Sequence, residues 1–155
     1  GAYSLPVRAI RFSHDGRSVA VAFHDATQNA PQVLSGGRER VTGRANKVRM
    51  WDVSSGRETV SFDAGAQSSV GFDLNYGMTN TFAWSNDNRQ CAVASGNTIR
   101  LFDPAAGRNL ATISGHNGDV IAVSFSADGK SLATTSLDRT IRIWDVSAAA
   151  TGRPW

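Results

Sequence analysis

Cysteine occurs once in this 155-residue chain, at Cys91, so no internal disulfide can form. A reducing compartment is the natural setting for such a chain. Long apolar runs are missing as well. Val19 to Phe23 is far short of the ~20 residues that a spanning helix needs, and no basic stretch followed by a long apolar one opens the sequence. The expectation is an intracellular protein, cytoplasmic or nuclear, with no membrane association. Lysine is scarce, at Lys47 and Lys130 alone, and no long block of like charge appears. With 16 Lys/Arg against 13 Asp/Glu the net charge is +3, well below that of a nucleic-acid arm or polybasic membrane patch.

Catalytic vocabulary is sparse too. His14, His24 and Cys91 show no metal-ligand spacing, paired carboxylates do not stand out, and Ser35-Gly36-Gly37-Arg38 is too short for a phosphate-cradling loop. No cofactor, no metal and no enzymatic activity are expected.

What the chain does have is alternation. From Gly115 to Asp145 three apolar-alternating, β-branched runs follow one another: Val120 to Phe125, Ser131 to Thr135, and Thr140 to Trp144. Period-two patterning of this kind signals strands. Ala127-Asp128-Gly129 and Leu137-Asp138-Arg139 separate them as turns. Val7 to Gly16 matches Val120 to Gly129 almost position for position, and Thr81 to Asp87 is a weaker copy. The far ends repeat as Val48 to Asp52, Ile99 to Asp103 and Ile141 to Asp145, each closing on an aromatic-Asp pair.

Gly115-His116 in front and Trp144-Asp145 behind make the last repeat resemble a WD40 repeat, one four-stranded blade of a β-propeller. The resemblance implies an all-β fold of three four-stranded antiparallel WD40-type blades, a partial propeller over residues 1–155. Blade 1 spans about 7–63 with an insertion at 24–46. Blade 2 spans about 79–113, preceded by an insertion at 65–79. Blade 3 spans about 115–145 and is expected to lack its outer strand, because the tail 146–155 does not alternate. Propellers typically close with four to eight blades, so ring completion by another chain or by missing blades is expected.

In WD40 repeats the entry-loop His, a strand Ser/Thr, the turn Asp and the Trp form a structural hydrogen-bond network. Here those positions are His116, Ser136, Asp138 and Trp144, with Thr134 the alternative hydroxyl on the same strand parity. Trp51 is the corresponding aromatic of blade 1. Blade 2 carries Phe102 there, which cannot donate a hydrogen bond. Ser, His and Asp also invite a triad reading, and the resemblance favours the structural one.

Strand alternation puts both insertions at one end of neighbouring blades. Long loops clustered on one face of a repeat array often mark its binding face. Arg38, Arg40, Arg44 and Lys47 from the first region, with Phe72, Leu74, Tyr76 and Met78 from the second, are the candidate partner-binding residues. The expected function is a non-catalytic protein–protein interaction scaffold. The alternatives are nucleic-acid or phosphate-ligand binding through the basic insertion, and a sensor or regulatory part of a larger multidomain protein.

Overall fold

The computed structural model describes residues 7–25, 32–33, 39–40, 45–66, 81–147 and 153–154. Among these, every regular element is a strand. The first sheet holds β1 (Val7–Phe12), β2 (Ser18–Asp25), β5 (Ala45–Asp52) and β6 (Glu58–Ala66), in that order. The second is built from β7 (Phe82–Trp84), β8 (Cys91–Ser95), β9 (Thr98–Asp103) and β10 (Arg108–Ser114). The third runs β11 (Val120–Phe125), β12 (Ser131–Ser136), β13 (Ile141–Asp145) and β14 (Arg153–Pro154). All neighbouring strands are antiparallel.

Two departures from the sequence pattern follow from pairing that alternation does not encode. The third sheet has an outer strand after all: Arg153 pairs with Asp145 and Pro154 with Trp144. Two residues suffice, and a proline is tolerated there because an edge strand need not donate on its outer side. Within the first insertion, β3 (Gln32–Val33) and β4 (Glu39–Arg40) form a small hairpin where the composition reads as a loop. The ends of that insertion also prolong the ladder, with His24 opposite Asn46 and Asp25 opposite Ala45.

The three β1–β2-type turns are built alike. Ser13, Ser85 and Ser126 each donate through Oγ to the carboxylate two residues on, Asp15, Asp87 and Asp128, at 2.6, 2.7 and 2.6 Å. Those same carboxylates accept the backbone N–H of Arg17, Arg89 and Lys130. The left-handed residue is Gly16 in the first turn and Gly129 in the third, whereas Asn88 takes φ 58° in the second.

The core lies between sheets, in two layers. One joins Ala20, Ala22, Val48, Met50 and Phe62 of the first sheet to Phe82, Trp84, Cys91, Val93 and Phe102 of the second. The other joins Ala92, Ala94, Ile99 and Leu101 of the second to Val123, Leu132 and Trp144 of the third. The second sheet is therefore covered on both faces. That explains why all of β8 is buried and why its sequence, Cys-Ala-Val-Ala, is continuous rather than alternating. Burial and the neighbouring Asp103 charge push the Cys91 thiol well above its ordinary pKa, which makes it a packing residue.

Candidate functional site

His116 sits at the centre of a chain of hydrogen bonds in the third sheet. Its Nε2 lies 2.7 Å from Thr134 Oγ1, and Trp144 Nε1 donates to that same oxygen at 2.9 Å. On the other side, His116 Nδ1 lies 2.9 Å from Asp138 Oδ2. The imidazole, Thr134 and Trp144 are all buried. The tautomer that satisfies every atom carries its proton on Nδ1, so that Thr134 donates to Nε2 while accepting from the indole. Asp138 is held further by Thr140, whose hydroxyl donates at 2.6 Å and backbone N–H at 2.9 Å, and by the Asn117 N–H at 2.9 Å. The Thr140 hydroxyl, then the His116 and Asn117 donors, hold the Asp138 carboxyl well below its ordinary range.

Glycines let the loop approach this closely. A Cβ on Gly115 would meet the Trp144 ring at 2.9 Å, and one on Gly118 would meet the Asp138 backbone N at 2.7 Å. Loop 115–119, turn 136–140 and strand β13 are thereby locked together.

The expected hydroxyl, Ser136, does not join the His–Trp chain. It donates to Gly118 O at 2.7 Å and accepts the Asp138 N–H at 3.1 Å, tying turn to loop one pair nearer the surface. Thr134 holds the bridging place. Among the described residues Trp51 makes no comparable hydrogen bond, and among them the clamp is found in the third sheet alone. Phe102 fills the matching position of the second sheet by stacking on Phe62, with ring centroids 4.1 Å apart and an interplanar angle of 29°. None of the clamp hydroxyls resembles an activated nucleophile. Ser136 Oγ is committed to backbone groups, and Thr134 Oγ1 is enclosed between two rings.

Sequence reasoning missed a second set of ties, between turns of successive sheets. Asn88 Oδ1 accepts the His14 backbone N–H at 2.8 Å, and Asn86 Nδ2 donates to Ala127 O at 2.6 Å. The available signal was Asn88 itself, standing where the other two turns have glycine. Beside these turns a hollow of about 210 Å³ is lined by Arg11, Phe12, His14, Trp84, Asn86 and Phe125, among others.

At the opposite end of the sheets, Asp25, Ala45 and Ala66 lie in one cross-strand row. The described residues that flank 26–44 and 67–80 thus adjoin one another at one end of the first sheet. Lys47 is a half-buried strand residue opposite Phe23 and Asp63. The backbone of Arg40 lies in β4. Arg38, Arg44, Phe72, Leu74, Tyr76 and Met78 fall outside the described residues.

Three four-stranded sheets stacked face to face, one closed by a His–Thr–Trp–Asp clamp, define WD40-type propeller blades. A family model described as "WD domain, G-beta repeat" matches residues 107–145, and the chain belongs to the WD40-repeat family. Among its relatives is the fission yeast (Schizosaccharomyces pombe) "Target of rapamycin complex subunit wat1", 32% identical over 116 residues, which cover 72% of this chain and 33% of that protein. The Arabidopsis thaliana "Guanine nucleotide-binding protein subunit beta" is 36% identical over 98 residues, covering 63% of this chain and 25% of that protein. The crystal structure of RRP9 WD40 repeats superposes with a TM-score of 0.70 over 99% of this chain and 39% of that one, at 19% identity. The chain thus spans a third or less of the length of these two curated relatives. WD40 propellers are in general non-catalytic and act as protein-interaction scaffolds. No helix among the described residues is long and apolar enough to cross a membrane.

Proposed function

We propose that this chain is a non-catalytic scaffold that holds partner proteins at its insertion-bearing end, inside the cell. The observation that carries this reading is the row Asp25–Ala45–Ala66, from which two long segments leave one end of the sheet together. Segment 26–44 supplies Arg38, Arg40 and Arg44 next to Lys47, and segment 67–80 supplies Phe72, Leu74, Tyr76 and Met78. Arginine forks and aromatic side chains are the chemistry of a protein contact surface. The Ser, His and Asp of the third blade are spent on its own architecture, which supports a binding role over a catalytic one. Its propeller is completed by further blades, on this or another polypeptide.

Affinity capture with three versions of the chain tests this: the unaltered chain, a variant with Arg38, Arg40, Arg44, Phe72 and Tyr76 changed to Ser, and one with Arg17, Arg89 and Lys130 changed to Ser at the opposite end. The reading expects only the first variant to lose its specific partners while still unfolding cooperatively. Equal retention by all three would refute it. A captured species that is nucleic acid, released along a steep log-salt dependence, would replace it with phosphate binding through the basic insertion.

A further inference from the structure

Three edge strands converge on one hollow. β1, β7 and β11 each stand at the end of their sheet's order with a single paired neighbour, and β7 lies beside both of the others. Between them, next to the turns that follow, is the hollow of about 210 Å³. Its walls come from three successive sheets of this chain, so it forms without any further blade.

The lining divides by chemistry. Phe82 and Trp84 of β7 and Phe125 of β11 give it flat apolar walls. Phe82 and Trp84 are buried and meet edge to face, with ring centroids 5.7 Å apart. Arg11, His14 and Asn86 are exposed and bring polar groups to it. No Asp or Glu among the described residues lines it. Asp15 and Asp87, on the adjoining turns, are turned back on those turns, where each accepts a serine hydroxyl and a backbone N–H. The formal charge of the lining is therefore that of the Arg11 guanidinium.

These groups are held in place by bonds of their own. The His14 N–H is tied to Asn88 Oδ1, and Asn86 Nδ2 to Ala127 O. Arg11 Nη1 donates to Ile10 O at 2.8 Å, and the Trp84 indole N–H reaches Arg11 O at 3.5 Å. A site whose groups are already positioned loses less freedom when it binds.

We infer that this hollow binds a small aromatic carboxylate, its ring against Trp84 and Phe125 and its carboxylate on Arg11. Ligand sites combine apolar walls with a few polar groups that fix orientation, and those for drug-sized molecules run to about 300–1,000 Å³. At about 210 Å³ this one suits a compact acid, on the order of ten non-hydrogen atoms. A carboxylate can take two parallel N–H donors of a guanidinium, which an uncharged aromatic cannot match. A free aryl acid and an aromatic C-terminal residue of a polypeptide share this chemistry. The hollow lies at the end of the sheets away from the insertions, so the inference goes beyond the scaffold reading and does not depend on it.

The test is a titration of the whole ¹⁵N-labelled chain by NMR with indole-3-acetate. N-acetyltryptophan serves as the mimic of a chain terminus and indole-3-acetamide as the uncharged control. Saturable shifts of the Trp84 indole N–H and the Asn86 side-chain amide are expected at millimolar acid, with at least tenfold weaker binding of the acetamide. Arg11→Gln should reduce the acid to the acetamide's affinity. Arg17→Gln removes an equal charge from an exposed side chain outside the hollow and should leave binding unchanged. Spectra of both variants that match the unaltered chain away from the substituted residue establish that the fold is kept. Tighter binding of N-acetyltryptophan than of indole-3-acetate assigns the site to a polypeptide terminus, and the reverse order assigns it to a free acid. No saturable shift at Trp84, equal binding of acid and acetamide, or equal losses in the two variants would overturn the inference.

Discussion

Thr134 Oγ1 accepts the indole N–H of Trp144 at 2.9 Å, and both side chains are sealed from water. A buried donor left without its acceptor costs about 1–3 kcal/mol, more than the hydrogen bond adds on balance. Thr134→Val keeps the shape, strands the Trp144 N–H, and leaves His116 Nε2 without a donor. It should lower unfolding free energy by about 2–3 kcal/mol in urea titration, on that same scale for stranded groups. Ser136→Ala frees only a carbonyl and an N–H near the surface, so about 1 kcal/mol is expected. Equal losses would mean that the two hydroxyls share the clamp evenly.

Acid should loosen the third blade through Asp138. Its carboxyl titrates below the ordinary aspartate range in the folded chain, so the folded state holds fewer protons than the unfolded one as pH falls. The stabilisation is complete above the unfolded value and is lost as pH drops through the lowered folded one. Asp52 follows the same sign, lowered to about 2 by the Ser54 and Ser55 hydroxyls. Urea midpoints measured at pH 7 and pH 3 should therefore fall for the unaltered chain. Asp138→Asn should be less stable at pH 7 and show a smaller drop. A parallel drop in both proteins would remove Asp138 from the account.

Asn88 does two things at once, holding a positive φ and accepting the His14 N–H of the neighbouring blade. Asn88→Gly keeps the first and loses the second, for an expected loss of about 0.5–1.5 kcal/mol. Asn88→Ala loses both and should cost about 1 kcal/mol more, the usual penalty of a Cβ in the left-handed region. Thermal unfolding of the two variants checks the ordering. Ala equal to Gly would show that the backbone carries no strain there.

Much of this architecture is legible in the sequence because blades are made of short-range signals. Alternation marks Val120–Phe125 and Val7–Phe12, and the Ser-x-Asp turns punctuate them. Residues whose roles depend on other sheets are harder to read. Phe102 is visibly no hydrogen-bond donor, yet its stacking on Phe62 exists only once two blades meet. Thr134 and Ser136 have the same strand parity, so periodicity cannot choose between them; depth beneath the His116 ring does. The pairing of β14 escapes notice because two residues are too few to show a period. The insertion end is located by its flanks, the row Asp25–Ala45–Ala66, rather than by any pattern within the insertions.

Hydrogen–deuterium exchange on the chain with a purified captured partner tests the central claim most directly. The account predicts slowed exchange on binding in segments 26–44 and 67–80, with the turns 13–18, 85–90 and 126–131 unchanged. Protection confined to those turns, at the far end of the same blades, would contradict it.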